Sequence, residues 1–337
     1  MVLLKWTALA AAVCAGACSQ FCLAQGAPPV ILTVDVTNVV QYIDDTTDFT
    51  KLATVPSSTA GAASQNFRKF VIMGDIVGVN GKPAKGTLVE NSRAITMRPS
   101  PTPGQAIADI TRNNVTQFAY EFLADDGSPI GTIVGIGFGN GPPPPGAPQA
   151  LTQGNQPITG GSGAFLGVHG IKGQSTSAAL TSTQRVASMT EDPANRRVNG
   201  GATQKFIFYV IPMTRPAIVV ESGIPAVYHG DFSLVTTAKP AKAGEVLIVK
   251  ATGLGPTIPG IDPGQPFVPD QLQVVNSPVD VTIGGQPAEL INKVGWPGLV
   301  DTFRVDFRVP GGIAAGMTPV QLAAAWIGGS PVNIPIQ

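Results

Sequence analysis

Pro157-Ile158-Thr159-Gly160-Gly161-Ser162-Gly163-Ala164-Phe165-Leu166-Gly167-Val168-His169-Gly170-Ile171-Lys172-Gly173 is the stretch whose reading decides the fold. Gly160, Gly161 and Gly163 permit positive φ and close backbone approach, so the segment predicts a tight turn opening into a strand. From Ala164 onward, Phe165, Gly167, His169 and Ile171 fall on one face and Ala164, Leu166, Val168 and Gly170 on the other, the period of two of a β-strand. Strands need partners, and both flanks supply them.

Upstream, Val30 to Ile43 is rich in Val and Ile and predicts a first strand. Arg68 to Val79 predicts a second, and Asn80-Gly81 is a strong hairpin signal because both turn positions tolerate positive φ; Gly86 to Arg98 then runs back. Gln105 to Asn113 fits either a short helical turn or a strand. Gln117 to Ala124 alternates with Phe118, Tyr120 and Phe122 on one face and Glu121 on the other. Asp125-Asp126-Gly127-Ser128 turns the chain into Ile130 to Phe138. Two segments read as surface loops: Thr54 to Asn66, which lacks apolar bulk, and Gly139 to Gly154, where Pro142 to Pro145 exclude sheet pairing. Downstream come Ser175 to Met189, a polar turn around Asp192 to Gly201, and a closing strand from Lys205 to Ile211.

Met213 to Pro216 marks a junction, after which shorter strands are separated by glycine turns. These are Glu245 to Thr252, Val279 to Ile283, Ala288 to Val294, Val300 to Val309, Pro319 to Trp326 and Pro331 to Ile336, a spacing expected of a sandwich. The chain of 337 residues is long enough for two cores. With 40 Gly, 31 Pro and only 12% charged residues, many short strands fit better than a helical bundle. Lys and Arg number 21 against 21 Asp and Glu, which leaves no basic surplus for nucleic acid.

Residues 1–24 read as a signal peptide: Lys5 precedes an apolar run from Trp6 to Ala17, and Cys22-Leu23-Ala24 offers a small-residue cleavage site. The expected location is therefore secreted or at the cell surface, with cell-envelope association and no transmembrane helix in the mature chain. Cys14, Cys18 and Cys22 all lie in this segment, so the mature chain carries no disulfide. Ala15-Gly16-Ala17-Cys18 imperfectly matches a lipoprotein processing site, which keeps a lipid on Cys18 as an alternative.

Between about Val34 and Val210 the chain resembles the allene oxide cyclase and dirigent barrel superfamily. The resemblance rests on Gly74-Asp75-Ile76-Val77-Gly78, the hairpin Phe122 to Thr132, the glycine turn Ile158 to Phe165, and the closing strand Lys205 to Val210. It implies an all-β fold with an antiparallel eight-stranded barrel over residues 30–212, a hydrophobic small molecule in its interior, and a homotrimer through the barrel. Residues 213–337 resemble an immunoglobulin-like β-sandwich module of secreted bacterial proteins. The features that carry this second resemblance are Ala238 to Val246, Gly253-Leu254-Gly255-Pro256 and Val281 to Ala288.

No catalytic or metal-binding motif stands out. His169 and His229 lie in different halves and read as structural or solvent-facing, Ser162 is misplaced for a nucleophile elbow, and the glycines from Gly135 to Gly141 lead into prolines instead of a phosphate-binding helix. No cofactor is expected. Among the polar residues on predicted barrel strands (Asp75, Glu90, Arg93, Arg98, Tyr120, Glu121, His169, Tyr209), alternation turns some inward. The ligand-binding candidates are Asp75, Arg93, Tyr120, Glu121, His169 and Tyr209. The expected function is a noncatalytic two-domain protein whose barrel binds a small apolar molecule or mediates assembly, with the sandwich as spacer or adhesion module. A cofactor-independent cyclase or isomerase, or a guide for stereoselective coupling, is the alternative.

Overall fold

The computed structural model describes residues 29–43, 69–96, 112–139, 153–175 and 185–337. The expected signal peptide, Cys18, Arg98 and the two proposed loops around Thr54 to Asn66 and Pro142 to Pro145 lie outside the described residues.

Eight antiparallel strands close into a barrel: β1 (Val30–Ile43), β2 (Lys69–Val79), β3 (Lys82–Thr96), β4 (Arg112–Leu123), β5 (Pro129–Gly139), β6 (Gln153–Gly163), β7 (His169–Gln174) and β9 (Ala202–Ile211). Each pairs with the next, and β9 returns to β1, so no edge remains in the ring. A short β8 (Arg185–Ser188) lies outside the ring, parallel to the far half of β1. The switch of partner is made at Asn38, whose φ of 52° bulges β1. From β8 the chain passes through a 3₁₀ turn at Pro193–Asn195 and a one-turn helix α1 (Arg196–Asn199) before entering β9.

Alternation carries apolar side chains inward on every described wall. Leu32, Val34, Val36, Ile76, Leu88, Phe118, Tyr120, Phe122, Ile133, Phe206, Phe208 and Val210 form one buried cluster. The Asn80-Gly81 hairpin stands as expected, with φ of 52° and 75°, and Asn80 Oδ1 accepts the Thr33 amide at 2.8 Å. The glycine turn does not. Gly160 to Gly163 end β6, the chain turns through Ala164 to Val168, and β7 begins only at His169. Phe165 and Val168, expected on opposite faces, are both buried. The reason is local: Gly163 sits at φ 60°, where a Cβ would stand 2.4 Å from the Ile130 carbonyl oxygen, so the turn forms after the glycines and not within them.

The tight connections at Asn80-Gly81, Ala124 to Ser128 and Ala164 to Val168 all lie at one end, here called the lower end, from which β9 also leaves. There the chain enters two further sheets. One runs in the order Ala217–Ile218, Val246–Thr252, Phe303–Arg308, Glu289–Gly295, Val274–Val275 and Thr257–Ile258. The other runs Gln286–Pro287, Val279–Ile283 and Gly316–Ala324, whose far edge pairs with Ile327–Gly328 and, further along, with Val332–Ile336. Leu247, Val249, Phe303 and Phe307 from the first sheet share a single core with Val281, Ile283, Val320, Leu322 and Ile334 from the second, the packing of a β-sandwich. The expected strand Pro319 to Trp326 is cut short: Ala324 pairs with Ile327 across a two-residue turn made by Ala325 and Trp326.

That turn docks the sandwich on the barrel. Ala325 and Ile327 are buried in the barrel's cluster, and the Trp326 ring lies 5.5 Å from that of Phe122. Beside it, Lys82 on β3 pairs with Asp280 at 2.7 Å. Asn276 donates to the Pro129 carbonyl at 2.7 Å and accepts from Ser128 at 3.0 Å. The lower end of the barrel is thus stoppered by the sandwich.

Candidate functional site

Lys172 reaches across the middle of the barrel. It sits on β7 between Gln156 of β6 and Phe208 of β9, and its ammonium meets Glu90 on β3, four strands away around the ring and therefore on the opposite wall. Its side chain is 2% exposed and that of Glu90 9%. The ammonium donates to Glu90 Oε1 and, at 3.2 Å, to the Tyr120 hydroxyl; that hydroxyl in turn donates to Glu90 Oε1 at 3.4 Å. Three rings surround the same ammonium, with centroids 4.6 Å (Phe118), 4.9 Å (Phe206) and 5.0 Å (Tyr120) from Nζ, a cation–π environment. Phe206 and Phe208 stand edge-on to Tyr120 at 5.5 and 4.8 Å.

The backbone makes room for this arrangement. At Gly135 on β5 a Cβ would fall 2.3 Å from the Phe118 ring, so the missing side chain is what lets Phe118 lie where it faces Lys172. Burial, opposed by the neighbouring carboxylate, lowers the pKa of Lys172. Burial and then the Glu90 charge push the Tyr120 phenol well above its ordinary range. An ammonium, a carboxylate and a phenol are therefore held together in a water-poor space, each partnered by the others.

Toward the upper end the interior turns polar. Ser92 and Thr116, paired across β3 and β4, share a 2.7 Å hydrogen bond between buried hydroxyls. On β6, Gln156 is 4% exposed, and its Oε1 has no hydrogen-bond partner among the described residues.

Of the six candidates from the sequence, Tyr120 lies in this interior. Asp75 is on the outer face of β2, in the opposite phase to buried Ile76. Its carboxylate accepts from Arg196 at 2.5 Å, from Arg197 at 2.8 and 3.1 Å, and from Asn38 at 3.0 Å. It therefore clamps α1 to the barrel wall and faces no interior ligand. Glu121 is on the outer face of β4, 3.4 Å from the Thr87 hydroxyl. His169 is exposed at the start of β7, and Tyr209 lies half-buried between Ile31 and Ile171 on the outer wall. Arg93 is on β3 opposite Val115, and its side chain is outside the described residues. Glu90 was among the strand polar groups but was not ranked as a ligand contact.

Lys172 and Gln156 escaped sequence reasoning altogether. One signal existed: Lys172 shares the phase of Val168, which is buried, so a charged residue stood on an apolar face. In the sandwich, His229 is buried with both ring nitrogens engaged, Nδ1 with Glu245 at 2.5 Å and Nε2 with the Lys239 carbonyl at 3.1 Å. Among the described residues no group of three or more His, Cys, Asp or Glu could hold a metal ion. No helix among them is long and apolar enough to cross a membrane.

The outer clamp has its own signature. Burial pushes the Asp75 pKa up, but hydrogen bonds from Arg197, Asn38 and Arg196 outweigh it and hold the carboxyl below its usual range. A depressed carboxylate contributes stability above its unfolded pKa and loses it as pH falls through the folded one. Asp75→Asn is expected to cost about 1–3 kcal/mol near neutral pH, a deficit that fades below about pH 4. Urea unfolding of both proteins across that interval measures it; a deficit independent of pH would refute the ionic clamp.

Comparison of the chain with known protein families, with characterised proteins and with solved structures returns no match.

Proposed function

We propose that this chain is a noncatalytic binding protein, secreted or held at the cell surface, whose barrel receives a small, mainly apolar molecule from its upper end. The sandwich closes the lower end and serves as spacer or adhesion module. The observation that carries the reading is the buried Oε1 of Gln156, which has no partner among the described residues. A buried acceptor left unsatisfied costs about 1–3 kcal/mol, and it sits in an interior where the charged groups are already satisfied by one another. The ligand is thus a lipophilic molecule carrying a hydrogen-bond donor such as a hydroxyl, with its donor on Gln156 and its body above the aromatic floor around Lys172. The closed eight-stranded ring supports kinship with the allene oxide cyclase and dirigent barrels, and the two-sheet core supports kinship with immunoglobulin-like modules.

Native mass spectrometry of the protein purified from its own host tests this. A retained small molecule is expected, and Gln156→Leu is expected to lose it while unfolding at a similar temperature. A chain that is empty, or a ligand indifferent to Gln156→Leu, would refute the reading and move the weight to assembly through the barrel.

The cyclase or isomerase reading is favoured by one observation, the meeting of a phenol, a carboxylate and an ammonium in one interior. Incubating the recovered molecule with fresh protein in D₂O separates the two readings. An unchanged molecule supports binding, whereas deuterium uptake or rearrangement supports catalysis.

A further inference from the structure

We propose a second binding site, in the cleft between the barrel's lower rim and the sandwich, for a small monocarboxylate with an aromatic or apolar body. The cleft has a volume of about 490 Å³, within the size range of small-molecule sites, and such sites favour domain junctions. Its apolar wall includes Ile130 of β5, Val275 of the sandwich and the Trp326 indole.

Of the six charges on its lining, four cancel in pairs and the remaining carboxylate is tied up by its own loop. Lys82 is paired with Asp280 at 2.7 Å. Lys85 lies 3.6 Å from the Asp125 carboxylate and donates to its carbonyl at 2.6 Å. Asp126 is turned back on its own loop, accepting from the Ser128 amide and hydroxyl at 2.9 and 2.5 Å. Lys293 is left. Its ammonium donates to the Ser277 carbonyl at 2.6 Å and meets no carboxylate among the described residues. Burial alone lowers its pKa, the mark of a cation taken from water without a counter-charge. An ammonium has three donors, so two remain for a ligand.

The same lining selects the ligand's charge. With Asp125 and Asp280 already paired, the lining offers one uncommitted cation and one carboxylate without an ionic partner, Asp126, so a monoanion neutralises Lys293 while the second charge of a dianion finds no cation. Lys82–Asp280 and the Asn276 contacts to Ser128 and Pro129 tie both walls together, so the cleft exists before the ligand arrives. Because Trp326 also packs on Phe122 inside the barrel, an occupant here touches the stopper of the first site.

Calorimetric titration of the full chain with 1-naphthoate, 1-naphthalenemethanol and inorganic phosphate tests the proposal. Naphthoate is expected to bind at least about tenfold more tightly than the alcohol, the scale of one charge-assisted hydrogen bond, and phosphate more weakly than either. Lys293→Met is expected to abolish the preference for the acid, and Lys293→Arg to keep it. Lys293→Arg is expected to unfold near the native temperature; Lys293→Met gives up the hydrogen bond to the Ser277 carbonyl and is expected to unfold lower while remaining folded, which leaves its acid preference readable. Equal affinity for acid and alcohol, tighter binding of phosphate, an undiminished acid preference in Lys293→Met, or no binding of naphthoate at millimolar concentration would each overturn it.

Discussion

Lys172→Met is expected to destabilise the protein by about 3–5 kcal/mol, the cost of leaving one member of a buried ion pair without its partner. Methionine is one atom shorter than lysine but unbranched like it, and its sulfur tolerates the three surrounding rings, so most of the loss is not a packing defect. What remains is the Glu90 carboxylate, 9% exposed and still in contact with the Tyr120 hydroxyl.

The informative measurement is a double-mutant cycle. Lys172→Met combined with Glu90→Leu removes both charges, and buried pairs replaced by apolar groups of similar volume are often neutral or stabilising. The double variant is expected to recover most of the loss and to fall short of the native protein by about 1–3 kcal/mol, because the buried Tyr120 hydroxyl then has neither of its partners. Chemical unfolding of the four proteins decides it. A single variant within about 1 kcal/mol of native, or a double variant as unstable as the single, would mean that the pair is not buried as described.

The all-β class was legible from alternation and turn residues, and the hairpins at Asn80-Gly81 and Asp125 to Ser128 follow from residues that tolerate or cap a turn. The barrel itself was reached by resemblance, because closure between β9 and β1 joins residues as far apart as Val30 and Val210, which no local pattern encodes. The site was less legible for the same reason. Period two shows that Tyr120 and Glu121 point in opposite directions but not which way is in; burial of Phe118 and Phe122 settles that for Tyr120. Asp75 looked like an interior acid until α1, more than a hundred residues downstream, supplied its arginines. Lys172 reads as a surface cation by composition, and only the far wall of the ring, with Glu90 on it, makes its burial tolerable.

Trp326→Ala is expected to cost about 3 kcal/mol, the low end for removing a large aromatic from a packed site, because the indole is only partly buried while its neighbours Ala325 and Ile327 are fully so. The position carries a second effect of opposite sign. Ala325 and Trp326 sit at φ 47° and 63°, left-handed values that cost an L-residue roughly 1–2 kcal/mol each and that hairpins of this kind normally assign to Asn or Gly. The turn tolerates the strain because the indole reaches Phe122, with ring centroids 5.5 Å apart. Trp326→Gly removes the indole and the strain together, so it is expected to be more stable than Trp326→Ala by about 1 kcal/mol, the reverse of the usual order at a strand end. Both variants are expected to loosen the barrel from the sandwich and to separate their thermal unfolding further than in the native protein. If alanine proved more stable than glycine, the backbone at this turn would not be left-handed. If both variants unfolded in a single transition near the native temperature, the indole would not be what joins sandwich to barrel, and the lower end would be held by Lys82–Asp280 and Asn276 alone.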